Sequence, residues 1–267
     1  VGSALAQATV DDPRSEAGAE DTPPSITFGI VPQQSAAKLA RNWAPVLAYL
    51  GAHSGTDLKF RTAPDIPEFE RRVAAGGYDI AYMNPYHYTV FSGDPGYRAF
   101  AKAANQPIRG ILVVRADSPI QSPAELADAT IAFPAPAASV LTRAYLTRTD
   151  IAFTPKYVAS HDSVYRAVAK GLYPAGGGVI RTLDSVAPDV RAQLRVLWTS
   201  EGYTSHAFAA HPRVPAAVVA RLTRAMVDMG DTDGGQDLLA PLSIGGFEAA
   251  TDPSWDDVRA LGRDFNL

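Results

Sequence analysis

The chain has 267 residues, 46% of them hydrophobic and 19% charged, which is enough to bury one or two ordinary globular cores. Its formal net charge of −4 argues against nucleic acid as a partner, so a bound anion would have to be held by local donors. The sequence contains no cysteine, which excludes disulfides, thiolate metal sites and a cysteine nucleophile.

The first residues point to export. Residues 1–8, VGSALAQA, look like the end of a secretory signal, because Ala6-Gln7-Ala8 fits a small-residue cleavage pattern. Residues 9–24 are acidic and rich in proline, and we interpret them as a flexible lead segment. No run of about 18 apolar residues occurs, so no membrane span is predicted.

The next part of the chain predicts three strands separated by two helices. Apolar runs predict strands at residues 25–31, 58–63 and 78–83, and helical spacing predicts helices after Ser35 and from Ile66. Pro45 is expected to kink or restart the first helix, and Gly51 and Gly55 are expected to end it. This order is typical of half of a doubly wound parallel sheet.

A second β-α-β series follows the first. A long apolar strand at residues 109–120 leads into a helix whose start, Ser122-Pro123-Ala124-Glu125, has the capping-box pattern. Helices are expected from about Ser139 and from His161. Further strands are predicted at residues 130–133, 156–159, 175–181 and 194–198.

The C-terminal part returns to the first series. The segment HAFAA, centred on Phe208, is expected to return the chain to the first series. Residues 215–229 have the spacing of an amphipathic helix with Met226 and Met229 in the core. We therefore predict an α/β protein with two lobes and a ligand cleft between them. Residues 25–113 with 204–267 would form lobe 1, residues 114–203 lobe 2, and the crossings would lie near Val114 and Tyr203.

Three segments are expected to reach this cleft. The first is Asn84-Pro85-Tyr86-His87-Tyr88, predicted as a loop after the third strand, whose amide and phenol groups are neutral donors. Its aromatic residues, and Tyr82 before them, could equally be core residues. The second is the helix start at Ala137, Ala138 and Ser139, where free N–H groups and the helix dipole favour an anion, although Ser139 could be a plain cap.

The third segment is Ser160-His161-Asp162-Ser163, another predicted helix start. His161 could donate to an oxyanion, while Ser160 or Asp162 could be an ordinary N-cap. Enzymatic and metal patterns are absent from the sequence: there is no G-x-S-x-G elbow, no H-E-x-x-H, and the run Gly176 to Gly178 lacks the lysine of a P-loop. A strand kink or a close lobe contact explains that glycine run better. His206 and His211 are too far apart on a predicted strand to chelate one metal ion.

The motifs together resemble a known family. FGIVPQQS, APDIPEFE, YDIAYMNPYHY, ILVVRADSPI, IAFPAPAAS and SHDSVYRAVAKG are similar to the phosphate/phosphite/phosphonate (PhnD-like) periplasmic substrate-binding proteins of ABC importers. The resemblance runs from about Ser25 to the C-terminal helices. It implies a type II periplasmic-binding-protein fold, with two Rossmann-like lobes joined by two hinge crossings.

The resemblance also implies an oxyanion held at the helix start with help from the third-strand loop and a histidine. The candidate ligand residues are therefore Gln33, Ser35, Tyr82, Asn84, Tyr86, Ala138, Ser139, Val140, His161, Asp162 and Ser163. Family members that bind aminoalkyl phosphonates have more hydroxyl residues at the anion helix, a tyrosine where this chain has Ile66, and acidic residues where it has Gly176 to Gly178. These departures, with an apparently short loop at Ala135–Ser139, favour a smaller oxyanion or one with an apolar substituent.

Three functions are consistent with these features. The leading interpretation is a periplasmic or otherwise exported, monomeric binding protein that delivers a phosphorus oxyanion to an ABC permease, with no cofactor, metal or covalent chemistry. The second is a sensor of the same fold that signals to a membrane kinase. The third is an enzyme of related fold, such as a hydrolase or a pyrimidine-precursor synthase.

Overall fold

The computed structural model describes residues 25–263, which form two mixed sheets of six and five strands flanked by helices. The predicted signal remnant and lead segment, residues 1–24, lie outside the described residues. The helices are α1 Ala36–Ser54, α2 Ile66–Ala74, α3 Pro85–Phe91, α4 Val140–Arg148, α5 His161–Ala169, α6 Ile180–Asp184, α7 Pro188–Arg191, α8 Ala216–Met229, α9 Asp233–Leu239 and α10 Asp256–Arg263. Short 3₁₀ turns cover Pro123–Leu126, Ala137–Ser139, Ala240–Leu242 and Asp252–Trp255.

The strands of the first sheet come from both ends of the described chain. They are β1 Ser25–Ile30, β2 Asp57–Arg61, β3 Ile80–Met83, β4 Arg98–Ala103, β10 Ala207–Ala210 and β11 Phe247–Ala249, in the order β11-β4-β10-β3-β1-β2. β1, β2 and β3 are parallel, as predicted, whereas β10 is antiparallel to β3 and β4. The predicted return strand around Phe208 is therefore confirmed, and it lies in the middle of the sheet.

The second sheet is formed by the middle of the chain. Its strands are β5 Gly110–Arg115, β6 Ala129–Phe133, β7 Phe153–Tyr157, β8 Ala175–Val179 and β9 Leu194–Thr199, in the order β7-β6-β8-β5-β9. β6 is parallel to β7 and β8, and β5 is antiparallel to β8 and β9. Each sheet with its helices is one lobe.

Two adjacent segments connect the lobes. Ile108 and Tyr203 form an isolated antiparallel bridge, with Ile108 N donating to Tyr203 O at 2.8 Å and Tyr203 N to Ile108 O at 2.9 Å. The predicted crossing at Tyr203 agrees with this bridge. The predicted crossing near Val114 is wrong, because Val114 lies inside β5 and pairs with Arg195 of β9, so the chain changes lobe before Gly110.

Local sequence signals explain most helix ends, and three of the helix predictions need correction. Pro45 lies inside α1 without interrupting it, contrary to the predicted kink, and the helix ends at Gly55, which has a left-handed φ of 64°. The segment NPYHY is the start of helix α3 instead of a loop, because Asn84 Oδ1 accepts from Tyr86 N at 2.8 Å and Pro85 occupies the first turn. The capping box at Ser122 is confirmed, but it starts only one 3₁₀ turn.

The glycine run of β8 allows α5 and β8 to pack at short range. A Cβ on Gly178 would lie 2.1 Å from Tyr165 Oη, and one on Gly176 would lie 2.5 Å from Val164 Cγ1. On the other face, a Cβ on Gly177 would lie 2.3 Å from the ring of Phe133. The run is therefore required by packing inside the second lobe.

Replacing Gly177 with Ala should lower the free energy of unfolding by about 1–3 kcal/mol, because the buried Phe133 ring has to move or β8 has to shift. Gly234→Ala is the matched control, since nothing lies within 4 Å of its Cβ, and it should be neutral or slightly stabilising. Urea unfolding of both variants measures this. Equal stability of Gly177→Ala and the native protein would contradict the packing argument.

Candidate functional site

Side chains from both lobes meet at one place in the cleft. Arg181 of the second lobe donates from Nη2 to Tyr82 Oη of the first lobe at 2.8 Å. Lys38 of α1 donates across the same boundary to the carbonyl oxygen of Ser185. The lobes are thus in contact around Arg181.

Arg181 has no counter-ion among residues 25–263. Its guanidinium is half-buried, and besides Tyr82 it approaches only His206 Nδ1, at 3.4 Å from Nη2. Among residues 25–263, no carboxylate oxygen lies within 4.0 Å of it, and Asp184, one turn later on α6, is exposed. A cation of this kind favours an anion in the adjacent space.

His206, which precedes β10, is buried between this cation and a glutamine. Gln33 Nε2 lies 2.9 Å from His206 Nε2, and the imidazole stacks on Tyr82 with ring centroids 5.1 Å apart. Burial lowers the pKa of His206 well below its ordinary value, and the positive charge of Arg181 lowers it further. Guanidinium and amide N–H groups only donate, and a neutral imidazole has one acceptor nitrogen, so His206 accepts from Arg181 or from Gln33 but not from both.

His161 is the first residue of α5 and is also buried. Neither ring nitrogen has a hydrogen-bond partner among the described residues. Burial lowers its pKa to about 3, and Arg181 contributes in the same direction. A neutral imidazole always carries one N–H, so His161 places a buried donor without an acceptor near Arg181.

Tyr165 fixes the turn that carries Arg181. Its hydroxyl accepts from Val179 N at 3.2 Å and lies 3.0 Å from Val179 O and 2.7 Å from Thr182 Oγ1. Since Tyr165 and His161 belong to the same helix, α5 sets the positions of both His161 and Arg181.

The predicted helix start and the NPYHY segment come together, as expected, but they pack tightly. Ala138 and Val140 face Asn84 and Tyr86 around a cavity of only about 10 Å³. The hydroxyl of Ser139 lies 2.8 Å from Ala135 O and 2.9 Å from Pro136 O, so its hydrogen is donated to backbone carbonyls.

Several candidate residues make hydrogen bonds in the first turn of a helix. Ser35 is exposed and caps α1 by accepting from Lys38 N at 3.4 Å. Asp162 accepts from Arg166 Nε at 2.8 Å, and Ser163 bonds with the cap residue Ser160. Of the two residues predicted as a possible N-cap of α5, Ser160 is the cap, and Asp162 forms an ion pair with Arg166 instead. Gln33, Tyr82 and His161 lie around Arg181.

The larger space in the cleft adjoins Arg181 on the side of the crossings. A cavity of about 250 Å³ is lined by Arg181, His206, Ile108, Arg109, Ile180 and Ser205, with other residues at its mouth. A smaller one of about 30 Å³, on the α1 side, is lined by Gln33, Tyr82 and Arg181. Arg181 therefore borders both spaces.

Sequence reasoning missed Arg181 and His206. The sequence predicts a strand that ends at Arg181, but β8 ends at Val179 and Arg181 lies in α6. His206 was considered only as a metal ligand. A detectable signal was present: each is a polar residue directly beside an apolar strand, at the edge where strands present ligand residues.

The described residues provide neither a metal site nor a membrane span. No group of three or more His, Cys, Asp or Glu side chains between residues 25 and 263 could hold a metal ion. Within the same range, every helix is too short or too polar to cross a bilayer.

The buried histidines should make stability depend on pH. His161 has a pKa of about 3 in the folded chain and an ordinary value of 6.5, so between these pH values the unfolded chain binds the extra proton. Stability should be complete above pH 6.5 and fall on acidification, by up to about 1.4 kcal/mol per pH unit for one group. His206 contributes with the same sign.

His161→Gln should reduce this acid-induced loss, because glutamine does not titrate. Urea unfolding at several pH values between about 7 and 4.5 measures the slope. His53→Gln, on the exposed end of α1, is the control and should leave the slope unchanged. A native slope in His161→Gln would show that His161 is not kept neutral by burial.

Known proteins resemble this chain over most of its length. It is 23% identical over 287 residues to the phosphate-import protein PhnD of Mycolicibacterium smegmatis, covering 93% of this chain and 88% of that protein. A binding protein component of an ABC phosphonate transporter from Pseudomonas aeruginosa superposes with a TM-score of 0.81 at 20% identity, over 90% of this chain and 85% of that one.

A third relative is a structure with a ligand. PhnD1 from Prochlorococcus marinus, in complex with methylphosphonate, has a TM-score of 0.83 at 13% identity, over 91% of this chain and 99% of that one. These structures confirm the predicted two-lobed periplasmic-binding fold. Residues 28–255 match the family described as "ABC transporter, phosphonate, periplasmic substrate-binding protein", and the chain belongs to that family.

Proposed function

We propose that this protein captures a small phosphorus oxyanion, namely phosphate, phosphite or an alkylphosphonate, outside the cytoplasm and delivers it to an ABC permease. The observation that carries the proposal is the half-buried guanidinium of Arg181, which lies among neutral donors of both lobes without a carboxylate partner among residues 25–263. The names of the similar proteins, which import phosphate or bind methylphosphonate, point to the same ligand class.

The chemistry of the cleft suits an oxyanion. Hydrogen bonds from a cation or from fixed N–H and O–H groups to an oxyanion are stronger than neutral pairs, and partial exclusion of water strengthens them further. We assign the grip to Arg181, His161, Tyr82 and Asn84, and to the N–H groups around Ala138, Ser139 and Val140 at the helix start. Because the space at the helix start is about 10 Å³, the ligand must enter with the lobes apart.

The hydrogen bonds of Ser139, the serine at the helix start, favour binding without covalent chemistry. Ser139 donates to Ala135 O and Pro136 O, and His161 has no hydrogen bond to any described residue. A nucleophile needs a base within hydrogen-bond distance, and this pair does not form one. We propose a monomer without metal or cofactor as the active form.

A sensor would use the same cleft, so the ligand cannot distinguish a transport role from a signalling role. A permease and an ATPase encoded beside this protein favour transport, whereas a neighbouring histidine kinase favours sensing. Uptake by membrane vesicles that contain the permease, with and without this protein, is the direct test of transport.

The protein should bind one oxyanion per chain from a panel of phosphate, phosphite, methylphosphonate, sulfate and arsenate. A ligand at 100 times its Kd adds about 2.7 kcal/mol to the free energy of unfolding, so thermal denaturation detects it readily. Calorimetry gives the stoichiometry. If no phosphorus oxyanion raises Tm at millimolar concentration, the proposed function is wrong.

His161→Ala should weaken binding about ten- to a hundredfold, because a donor to a charged acceptor is removed. His161→Gln keeps a neutral donor and should weaken it less. Ser139→Ala is the comparison and should cost less than His161→Ala, since the Ser139 hydrogen is already donated to carbonyls. Native affinity in a folded His161→Ala protein would remove His161 from the site.

A further inference from the structure

The cavities of the cleft differ in volume. The helix start offers about 10 Å³, whereas the cavity on the side of the crossings has about 250 Å³. Ile108, Ile180 and Pro107 supply apolar walls to the larger cavity, and Ser205 and His206 lie on the side of the first lobe. The larger space for the substituent of an oxyanion held by Arg181, Tyr82, His161 and the helix start is therefore the cavity on the side of the crossings.

The charges that face this path are unbalanced. Arg181 has no carboxylate within 4.0 Å among residues 25–263, and Arg109, which also lines the cavity, donates only to Ser200 O, at 3.1 Å. Asp184 is the acidic residue of the lining and is exposed.

Two acidic residues outside this lining are paired elsewhere: Asp162 with Arg166 at 2.8 Å, and Glu70 with His87 Nε2 at 2.8 Å. The lining of the larger cavity therefore has two guanidinium groups, those of Arg181 and Arg109, and one carboxylate, that of Asp184.

Resting on the proposed function, we propose that Arg181 selects the ligand by the charge of its substituent. The protein admits phosphonates whose substituent is uncharged or anionic and rejects those that carry an ammonium group. A substituent that leaves the oxyanion site passes the guanidinium of Arg181 at close range, where an ammonium group meets like charge. A carboxylate there meets a cation instead.

Three ligands of similar size separate these cases: ethylphosphonate, 2-aminoethylphosphonate and phosphonoacetate, measured by calorimetry at constant pH and salt. The native protein should bind 2-aminoethylphosphonate at least about tenfold more weakly than ethylphosphonate, because like charges a few ångströms apart repel strongly in a partly desolvated cleft. Phosphonoacetate should bind at least as tightly as ethylphosphonate.

Variants of Arg181 test its part directly. Arg181→Gln should bring the three affinities to within about threefold of one another, since the charge that distinguishes the substituents is gone. Arg181→Lys keeps the charge and should restore the native order. Arg191→Gln, which removes the same charge from the same lobe but lines neither cavity, should behave like the native protein. Thermal denaturation verifies that each variant is folded.

The outcomes separate the two proposals. If no phosphorus oxyanion binds the native protein, the proposed function fails and charge selection fails with it. If methylphosphonate and ethylphosphonate bind but 2-aminoethylphosphonate binds equally well, only charge selection is overturned. Retention of the native order by a folded Arg181→Gln protein likewise overturns the part assigned to Arg181, while the proposed function stands.

Discussion

The close approach of helix α5 to strand β8 determines the geometry of the cleft. Glycines at residues 176–178 remove the side chains that would hold the helix away, and Tyr165 Oη takes the place of a Cβ on Gly178. From there it bonds to Val179 and lies 2.7 Å from Thr182 Oγ1, which fixes the turn into α6. His161 at one end of this packing and Arg181 at the other are consequently set in position by the same contact. A larger residue in place of one of these glycines would displace α5 or β8, and with them His161 and Arg181, without contacting the site itself.

The electrostatics of the cleft follow from burial. Two imidazoles are kept neutral because desolvation penalises their charged forms and Arg181 adds to that penalty. The charge near the two rings is then carried by the guanidinium, whose state does not vary at physiological pH. In the proposed site an oxyanion meets the permanent charge of Arg181 and several neutral donors, so its binding would depend little on the titration of the protein. This arrangement also explains how a chain with a net charge of −4 can hold an anion.

The sequence predicted the lobes better than it predicted the site. Parallel strands β1 to β3, the return strand at Phe208 and the core positions of Met226 and Met229 are confirmed, because hydrophobic periodicity reports burial directly. The helix at NPYHY was missed because Asn-Pro is equally a turn signal and a helix start. The position of Arg181 is not predicted, because α6 has only five residues, too few to show helical periodicity in the sequence. Its contact with Tyr82 also joins residues 99 positions apart. Side chains that meet across two lobes are brought together by the tertiary fold, which local patterns do not encode.

The division of the donors between lobes links binding to closure. Tyr82, Gln33 and His206 belong to the first lobe, and Arg181 and His161 belong to the second, so an anion contacts all of them only when the lobes are together. Its binding free energy is therefore largely realised in the closed form, and the ligand shifts the population toward that form by its difference in affinity between the two. The Arg181–Tyr82 hydrogen bond also joins the two lobes. A ligand has to add contacts to that bond or replace it with stronger ones, and an oxyanion does so because a charge-assisted hydrogen bond is about twice as strong as a neutral one. The proposed discrimination by charge and the closure of the cleft would then be one event, because Arg181 is also a residue that joins the lobes.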